Sequence, residues 1–161
     1  MSSTPAPLSA GCKRYALGLL VVVYVFNFVD RSILSILLES IKEEFQVSDT
    51  FLGLLSGPAF AVLYTFVGLP IARWSDRGPR ASIIALAIFV WSGMTAMTGL
   101  AQNVIHLLLA RVGVGIGEAG CTPPAHSLIA DYFPPARRAT AMAIYSLGIP
   151  IGGGIGFLAG G

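Results

Sequence analysis

Residues 15–38 read YALGLLVVVYVFNFVDRSILSILL, an apolar run of bilayer-spanning length that carries two adjacent charges, Asp30 and Arg31. A spanning helix needs about 20 mainly apolar residues. A charge near the middle of a bilayer costs at least about 2.5–3.5 kcal/mol on insertion scales, so a retained charge usually has a function. A later apolar run carries Arg111 and Glu118 in the same way. This pattern predicts a membrane protein with a polar pathway for a substrate, an ion or a proton.

The composition excludes an ordinary soluble domain. Of the 161 residues, 55% are hydrophobic and 11% are charged, against about 25% charged in soluble domains. Five segments qualify as spanning helices, at about 15–38, 50–72, 81–101, 105–132 and 139–160. The net charge of +2 is dispersed, which excludes a nucleic-acid partner. The two cysteines have no metal-ligand spacing, and we expect neither a metal nor a cofactor. The sequence predicts an all-α polytopic helical bundle.

Positive charge is distributed unequally between the two sides of the predicted bundle. With residues 1–14 as a cytoplasmic tail, the inner side collects Lys13, Arg14, Arg73, Arg77, Arg80, Arg137 and Arg138. The outer side collects only Lys42. Because Lys and Arg favour cytoplasmic loops, the amino terminus is predicted to be cytoplasmic, in a plasma membrane or a bacterial inner membrane. Five spans that end in a glycine-rich stretch lead us to expect a truncated chain.

Depth along the helices predicts a contact between the first and fourth spans. At a rise of about 1.5 Å per residue, Asp30 lies about 22 Å from the inner surface. Arg111 lies about 9 Å below the outer surface of a core about 30 Å thick. We therefore expect Asp30 and Arg111 to meet if these helices face each other. A structural ion pair is the alternative to a functional role.

Two polar stripes extend this constellation. They comprise Arg111, Gly115, Glu118 and Thr122 on the fourth helix, and Tyr24, Asn27 and Arg31 on the first. Together they could line one cavity, because residues three or four positions apart share a helix face. The partner of Glu118 is left open between Arg111, Arg31 and a proton, since protonation neutralises a desolvated carboxylate. His106 and His126 lack metal spacing and are interpreted as packing or interfacial residues.

Glycine and proline mark packing and kinks inside the helices. Glycines recur every four residues at Gly148, Gly152, Gly156 and Gly160, and again at Gly113 and Gly117. Small residues at this spacing let helix backbones approach closely, which predicts tight packing. Prolines that interrupt the helical hydrogen bonding predict kinks at Pro58, at Pro123-Pro124 and at Pro150.

The loop Ala72-Arg73-Trp74-Ser75-Asp76-Arg77-Gly78-Pro79-Arg80 resembles the loop between helices two and three of the major facilitator superfamily. That pattern reads Gly-x-x-x-Asp-Arg/Lys-x-Gly-x-Arg/Lys. Here Ala72 replaces the first glycine, and the second basic residue has slipped. The resemblance implies a cytoplasmic latch formed by Asp76, Arg77, Gly78 and Arg80. The alternative is an ordinary basic loop that fixes topology.

Other stretches are similar to the Spinster branch of that superfamily. They are Asn27–Arg31, Gly68–Arg73, Ala110–Gly120 and Pro123–Phe133. The branch is associated with export of lysolipids and sphingoid phosphates, and proton coupling is proposed for its bacterial members. The resemblance implies twelve helices in two halves, so five helices would lack helix six and the second half. It matches Asp30 and Arg31 to the first-helix pair, and Arg111 and Glu118 to the helix-four pair.

We therefore predict the truncated amino-terminal half of a Spinster-like secondary transporter for an amphipathic anionic lipid, working by alternating access. Asp30 and Glu118 would bind protons, and Arg31 and Arg111 would tune that binding or hold an anionic headgroup. An organic-anion or sugar-phosphate transporter is the alternative within the same class. An intramembrane enzyme using Glu118 and His126 has no accompanying nucleophile, so we expect no enzyme. A structural membrane subunit remains open, and the fragment alone is expected to be inactive.

Overall fold

The computed structural model describes residues 9–160, apart from the side chains of residues 54, 55, 58–61, 63 and 75–77. Regular structure in this part of the chain is helical throughout, as predicted. The helices are α1 (Ala10–Phe45), α2 (Asp49–Ser56), α3 (Pro58–Arg77), α4 (Arg80–Gly99), α5 (Val104–Ala119), α6 (Thr122–Tyr132), α7 (Pro135–Ser146) and α8 (Gly148–Gly160).

Three of the five predicted segments consist of two helices each, because the chain breaks next to the prolines. The second segment breaks at Gly57, directly before Pro58, which is the first residue of α3. A proline cannot donate the backbone hydrogen bond that would continue the preceding helix. A Cβ atom at position 57 would collide with the carbonyl oxygen of Gly53, so this break requires glycine.

The fourth and fifth segments break in the same manner. Residues 120–121 separate α5 from α6, directly before Pro123 and Pro124 in the first turn of α6. Leu147 separates α7 from α8, three residues before Pro150. The predicted kinks therefore occur, and the break between α5 and α6 follows Glu118 by less than one turn.

The first helix is longer than predicted at both ends. Ser9 caps α1 by accepting a hydrogen bond from the backbone N–H of Cys12 at 3.2 Å, which places the end of the predicted 1–14 tail within the helix. Residues 1–8 of that tail lie outside the described residues. The stretches with the length and hydropathy of a membrane span are Ala10–Phe45, Arg80–Gly99, Val104–Tyr132 and Pro135–Gly160. The remaining predicted span, 50–72, corresponds to α2 and α3.

The glycine face of α8 lies directly against α1. A Cβ atom at Gly148 would lie 2.9 Å from Cβ of Tyr24, and one at Gly156 would lie 2.5 Å from Cβ of Ser32. Both distances are shorter than van der Waals contact, so only glycine permits this approach. The predicted tight packing of this face is confirmed.

A second glycine face joins α5 to α4. A Cβ atom at Gly113 would lie 2.5 Å from Cγ of Met94, and one at Gly117 would lie 2.6 Å from the backbone nitrogen of Trp91. Close approach of this kind increases van der Waals contact, which drives helix association in lipid. The fold therefore contains two tightly seated helix pairs, α1 with α8 and α4 with α5.

The distribution of side chains is the inverse of that in a soluble domain. Large apolar side chains such as Phe66, Phe89 and Leu158 are exposed on the outside of the bundle. Arg111 and Glu118 are buried inside it. Lipid is the solvent that suits such a surface, because apolar groups facing lipid incur no hydrophobic cost.

Candidate functional site

Asp30 and Arg111 form an ion pair between α1 and α5. The Nη1 atom of Arg111 donates to Oδ2 of Asp30 at 3.2 Å. The exposed fractions of the two side chains are 5% for Arg111 and 14% for Asp30. The contact predicted from depth along the helices is therefore present, and helices one and four do face each other.

A second ion pair joins the same two helices with the charges exchanged: the arginine is on α1 and the acid is on α5. Arg31 donates from Nε at 3.0 Å and from Nη2 at 2.7 Å, both to Oε2 of Glu118. Of the three partners that the sequence left open for Glu118, this structure selects Arg31. The Glu118 side chain has no exposed surface, whereas 40% of the Arg31 side chain is exposed. The second carboxylate oxygen of Glu118, Oε1, has no hydrogen-bond partner among the described residues.

A cavity of about 350 Å³ lies beside Arg31, between α1, α3 and α6. It brings together four residues of the two predicted polar stripes: Tyr24, Asn27, Arg31 and Thr122. Its walls also include Phe28, Ser56, Gly57, Tyr64 and Thr65. We call this cavity the polar pocket, since it contains amide, hydroxyl and guanidinium groups. The polar pocket thus contains the whole first-helix stripe but only Thr122 of the fourth-helix stripe, since Arg111 lines a separate cavity and Glu118 has no exposed surface.

Tyr64 is the most informative pocket residue that sequence reasoning missed. Its hydroxyl donates to Oγ1 of Thr122 at 3.3 Å, and its ring centroid lies 5.6 Å from Cζ of Arg31. The ring of Phe28 lies 5.8 Å from the same atom. Aromatic rings at these distances attract a guanidinium group. The available signal was a tyrosine in the middle of an otherwise apolar span.

A second cavity continues from Arg31 toward the carboxyl end of α1. It measures about 270 Å³ and is lined by Arg31, Leu34, Ser35, Leu38, Ser56 and Arg111. Arg31 borders both cavities, so its guanidinium group separates a polar space from one with more apolar walls.

Asp30 borders a different surface from its neighbour Arg31. It lines a groove of about 590 Å³ between α1 and α4, whose other walls include Phe26, Ile33 and Trp91. Within the described part of the chain, the buried Nε1 of Trp91 and Oγ1 of Thr95 have no hydrogen-bond partner. The two neighbouring charged residues of α1 thus border two different surfaces of the helix.

Arg80, a member of the predicted latch, pairs with Asp131 at the end of α6. From α7, Arg138 donates to the carbonyl oxygen of Ala130 at 2.7 Å. Gly78 ends α3 with its N–H bonded to the carbonyl of Trp74 at 2.8 Å. The side chains of Asp76 and Arg77 lie outside the described residues, so the latch stays a prediction.

Residues associated with other chemistries do not assemble in the described part of the chain. No cluster of three or more His, Cys, Asp or Glu side chains that could hold a metal ion occurs there. Both cysteines are free thiols, with Cys12 exposed and Cys121 buried. His106 is exposed at the start of α5, and His126 packs its ring against Tyr145.

Broken, membrane-length helices around buried charged and polar residues define a polytopic α-helical membrane bundle. The chain belongs to the Major Facilitator Superfamily, whose family model matches residues 20–161. Its relatives are transporters, so the alternative of an intramembrane enzyme is not retained.

Several relatives within the superfamily are similar to the chain over most of its length. The chain is 40% identical to an MFS-type efflux pump of Mycolicibacterium smegmatis, over 91% of this chain and 34% of the pump. It is 36% identical to a probable L-galactonate transporter of Escherichia coli, over 85% and 30% of the two chains. It is 31% identical to the sphingosine-1-phosphate transporter SPNS2 of Danio rerio, over 90% and 29%.

The fold matches a solved structure that is described as a bacterial homologue of the human lysosomal transporter Spinster, inward-facing and occupied. The identity is 49%, the TM-score is 0.89, and the match covers 95% of this chain and 33% of that one. The Spinster-like resemblance of the sequence is thereby confirmed. The chain spans about a third of the length of these relatives.

Proposed function

We propose that residues 1–161 form the amino-terminal part of a proton-coupled secondary transporter that moves an amphipathic anion by alternating access. The observation that carries this proposal is Arg31, a partly exposed arginine on the wall of the polar pocket whose carboxylate partner is fully buried. An arginine in this position can bind an incoming anion while the Glu118 carboxylate stays buried.

The first step is competition for Arg31. Two of its hydrogen bonds go to one oxygen of Glu118, and a carboxylate or phosphate can form bidentate bonds to the same guanidinium group. Asn27 and Thr122 then supply hydrogen bonds to the remaining polar atoms of the ligand. An apolar tail extends toward Leu34 and Leu38 in the second cavity.

The second step is neutralisation of Glu118. A buried carboxylate that loses its counter-charge is costly, and taking up a proton removes most of that cost. The oxygen Oε1, which has no hydrogen-bond partner among the described residues, is the proposed site of the proton. Substrate binding at Arg31 and proton binding at Glu118 are therefore coupled. Asp30 is the second proposed proton-binding residue, tied to Arg111 in the same manner.

The membrane setting follows the charge distribution. We propose an integral protein of the plasma membrane or the bacterial inner membrane with its amino terminus in the cytoplasm, supported by seven cationic residues on one side against one on the other. A second half, absent from these 161 residues, would complete the transport pathway.

One observation favours a second candidate substrate, a sugar acid. The polar pocket is lined by many hydroxyl groups, which suit a polyhydroxylated carboxylate as well as a lipid headgroup. Relatives include a probable L-galactonate transporter at 36% identity. The two candidates differ in whether an apolar tail is needed for binding.

The experiment uses the full-length transporter in sealed proteoliposomes with an imposed pH gradient. Movement of a lysolipid or a sphingoid phosphate, but not of galactonate, supports the lipid anion, and the reverse result supports the sugar acid. The variant Arg31→Gln tests the site, and Arg14→Gln, in the first turns of α1, is the matched control. Equal transport by wild type and Arg31→Gln would contradict the proposal.

A second test of the same proposal uses the 161-residue fragment without the second half. Residues 1–161 purified alone should give no vectorial transport in liposomes, because an alternating-access pathway needs a second half. Robust uptake or export by this fragment would overturn the proposal that a second half is needed to complete the transport pathway.

A further inference from the structure

Two short cationic sequences lie at the starts of α1 and α7, and the proposed transport mechanism uses neither of them. They are Lys13-Arg14 and Arg137-Arg138. Among the side chains that the structure describes, Lys13, Arg14 and Arg137 form no ion pair with a carboxylate. Arg138 donates to the carbonyl oxygen of Ala130. The first three cations can therefore attract an anion from outside the chain.

Helices α1 and α7 pack against each other in parallel, so both begin at the same end of the bundle. The rings of Tyr24 and Tyr145 are stacked with centroids 4.3 Å apart. Leu17 and Ala141, which precede these tyrosines on their helices, belong to the same buried cluster. Residue numbers therefore rise in the same direction along the two helices. Both starts lie at the end of the bundle that we propose to face the cytoplasm.

The residues one turn before this buried cluster are cationic on both helices. Lys13 precedes Leu17 by four residues, and Arg137 precedes Ala141 by four. Because residues i and i+4 share a helix face, Lys13 and Arg137 extend from the adjoining faces of α1 and α7. Arg14 is rotated from Lys13 by about 100° around α1, and it is exposed whereas Lys13 is half-buried. We call Lys13 and Arg137 the cation pair.

Aromatic residues mark the height of the cation pair relative to a membrane. Tyr15, two residues after Lys13, is 69% exposed. Tyr132 is the last residue of α6 and lies three residues before the start of α7. Tyrosines concentrate at the membrane–water interface, where the lipid headgroups lie. The cation pair is therefore expected at the height of the lipid phosphates.

An exposed apolar surface continues from the cation pair toward the middle of the membrane. Ile144 lies seven residues, about two turns, after Arg137 and shares its helix face. Ile144 and Leu147 are 42% and 51% exposed. A phospholipid carries a phosphate for the cations and an acyl chain for this apolar surface, whereas inorganic phosphate satisfies only the first.

We propose that Lys13 and Arg137 bind the phosphate group of an anionic phospholipid, at a site separate from the substrate pathway. The Arg137 guanidinium group can form bidentate hydrogen bonds to phosphate oxygens, and the Lys13 ammonium group adds a point charge. A zwitterionic lipid suits the site less, because its own ammonium group would approach two cations. The site uses the proposed membrane orientation, but it requires neither the proposed substrate nor the proton coupling.

The test titrates the purified full-length transporter in detergent with phosphatidylglycerol and counts bound lipid by native mass spectrometry. Arg137→Gln and Lys13→Gln should each weaken binding about fivefold, the factor that matches the attraction of one cation to an anionic membrane surface. The double variant should lose about 25-fold, if the two contributions add. Binding of phosphatidylcholine should be the same in wild type and variants. Arg14→Gln, one residue from Lys13 on a different side of α1, is the matched control and should retain the affinity of wild type.

The outcomes separate a lipid site from general charge attraction and from misfolding. An equal loss in Arg14→Gln and Arg137→Gln would reduce the effect to general attraction and overturn the site. Arg137→Lys keeps the charge and should keep most of the affinity, so a loss equal to that of Arg137→Gln would also contradict the site. Displacement of the lipid by an equal concentration of inorganic phosphate would overturn the lipid as the ligand. Since no pH gradient is imposed, failure of the proposed proton-coupled transport would leave these results unaffected.

Discussion

Two ion pairs connect α1 to α5, and they differ in how much of each is enclosed. In the pair of Asp30 with Arg111, both side chains are at least 86% buried, and one hydrogen bond of 3.2 Å joins them. In the pair of Glu118 with Arg31, two bonds of 2.7 and 3.0 Å reach a fully buried acid from an arginine that is 40% exposed. We call the first pair the closed pair, because both of its side chains are largely buried, and the second the open pair, because its arginine is partly exposed.

The difference arises because Asp30 and Arg31 are neighbours on one helix. Consecutive residues of an α-helix point about 100° apart. Asp30 therefore borders the groove beside α4, while Arg31 borders the polar pocket. A ligand headgroup in the polar pocket can compete for Arg31, whereas Arg111 borders the second cavity and not the polar pocket. The open pair is thus suited to respond to substrate, and the closed pair is suited to hold the helices together.

The largest expected effect is on proton-driven transport. Glu118→Gln in the full-length transporter should abolish transport driven by a pH gradient, because the amide keeps the shape of the side chain but cannot release a proton. Asp30→Asn should reduce the same rate less, since its partner does not face the pocket. The measurement is uptake into proteoliposomes with and without an imposed gradient. If the two variants lose equal activity, the distinction between open and closed pairs is wrong.

Stability should rank the two arginines in the reverse order. Arg111→Gln leaves a buried Asp30 without its charged partner, which costs about 3–5 kcal/mol of unfolding free energy. Arg31→Gln should cost less, because pocket water reaches the space that the guanidinium group vacates. Denaturant unfolding of the two variants in detergent checks this order. A larger loss for Arg31→Gln would contradict the comparison.

The glycine face of α8 gives a smaller and sharper effect. Gly152→Ala places a methyl group against the Val25 carbonyl and the Phe28 side chain, and overpacking of this kind costs about 1–3 kcal/mol. Gly154→Ala is the matched control, because no atom lies within 4 Å of a Cβ placed there. Gly152→Ala should therefore lower the unfolding midpoint, and Gly154→Ala should leave it nearly unchanged. Equal midpoints would show that α8 can shift to relieve the contact.

The smallest effect concerns Arg80 and Asp131. Their side chains are 24% and 58% exposed, and exposed ion pairs are worth about 0–1 kcal/mol. A double-mutant cycle with Arg80→Gln and Asp131→Asn should give a coupling energy in that range, smaller than that of either buried pair. A coupling energy above this range would contradict the comparison, because the pair would then stabilise the fold more than an exposed ion pair does.

The sequence predicts the contact of Asp30 with Arg111 because helical rise converts residue number into depth. The same count separates Arg31 from Glu118 by about 13 Å of depth. The count includes neither helix tilt nor the reach of an arginine side chain, and the structure nevertheless brings Nη2 of Arg31 to 2.7 Å from Oε2 of Glu118. The pairing of Glu118 therefore stayed open until the structure placed both residues.

Helix breaks were partly predictable for a related reason. A proline removes a backbone donor wherever it lies, so Pro58, Pro123 and Pro150 indicated interruptions. The extension of α1 from Ala10 to Phe45 was not predictable from hydropathy. Hydropathy detects the part of a helix that suits lipid, whereas a helix continues for as long as caps and hydrogen bonds permit.

The glycine face of α8 also determines where Arg31 points. Side chains between two helices normally act as spacers that can change rotamer and let one helix turn about its axis. At Gly148, Gly152 and Gly156 there is no spacer, and α1 rests directly on the backbone of its neighbour. Any rotation of α1 would drive Tyr24, Phe28 and Ser32 into that backbone. The orientation of the charged side chains is thus fixed by residues that have no side chain.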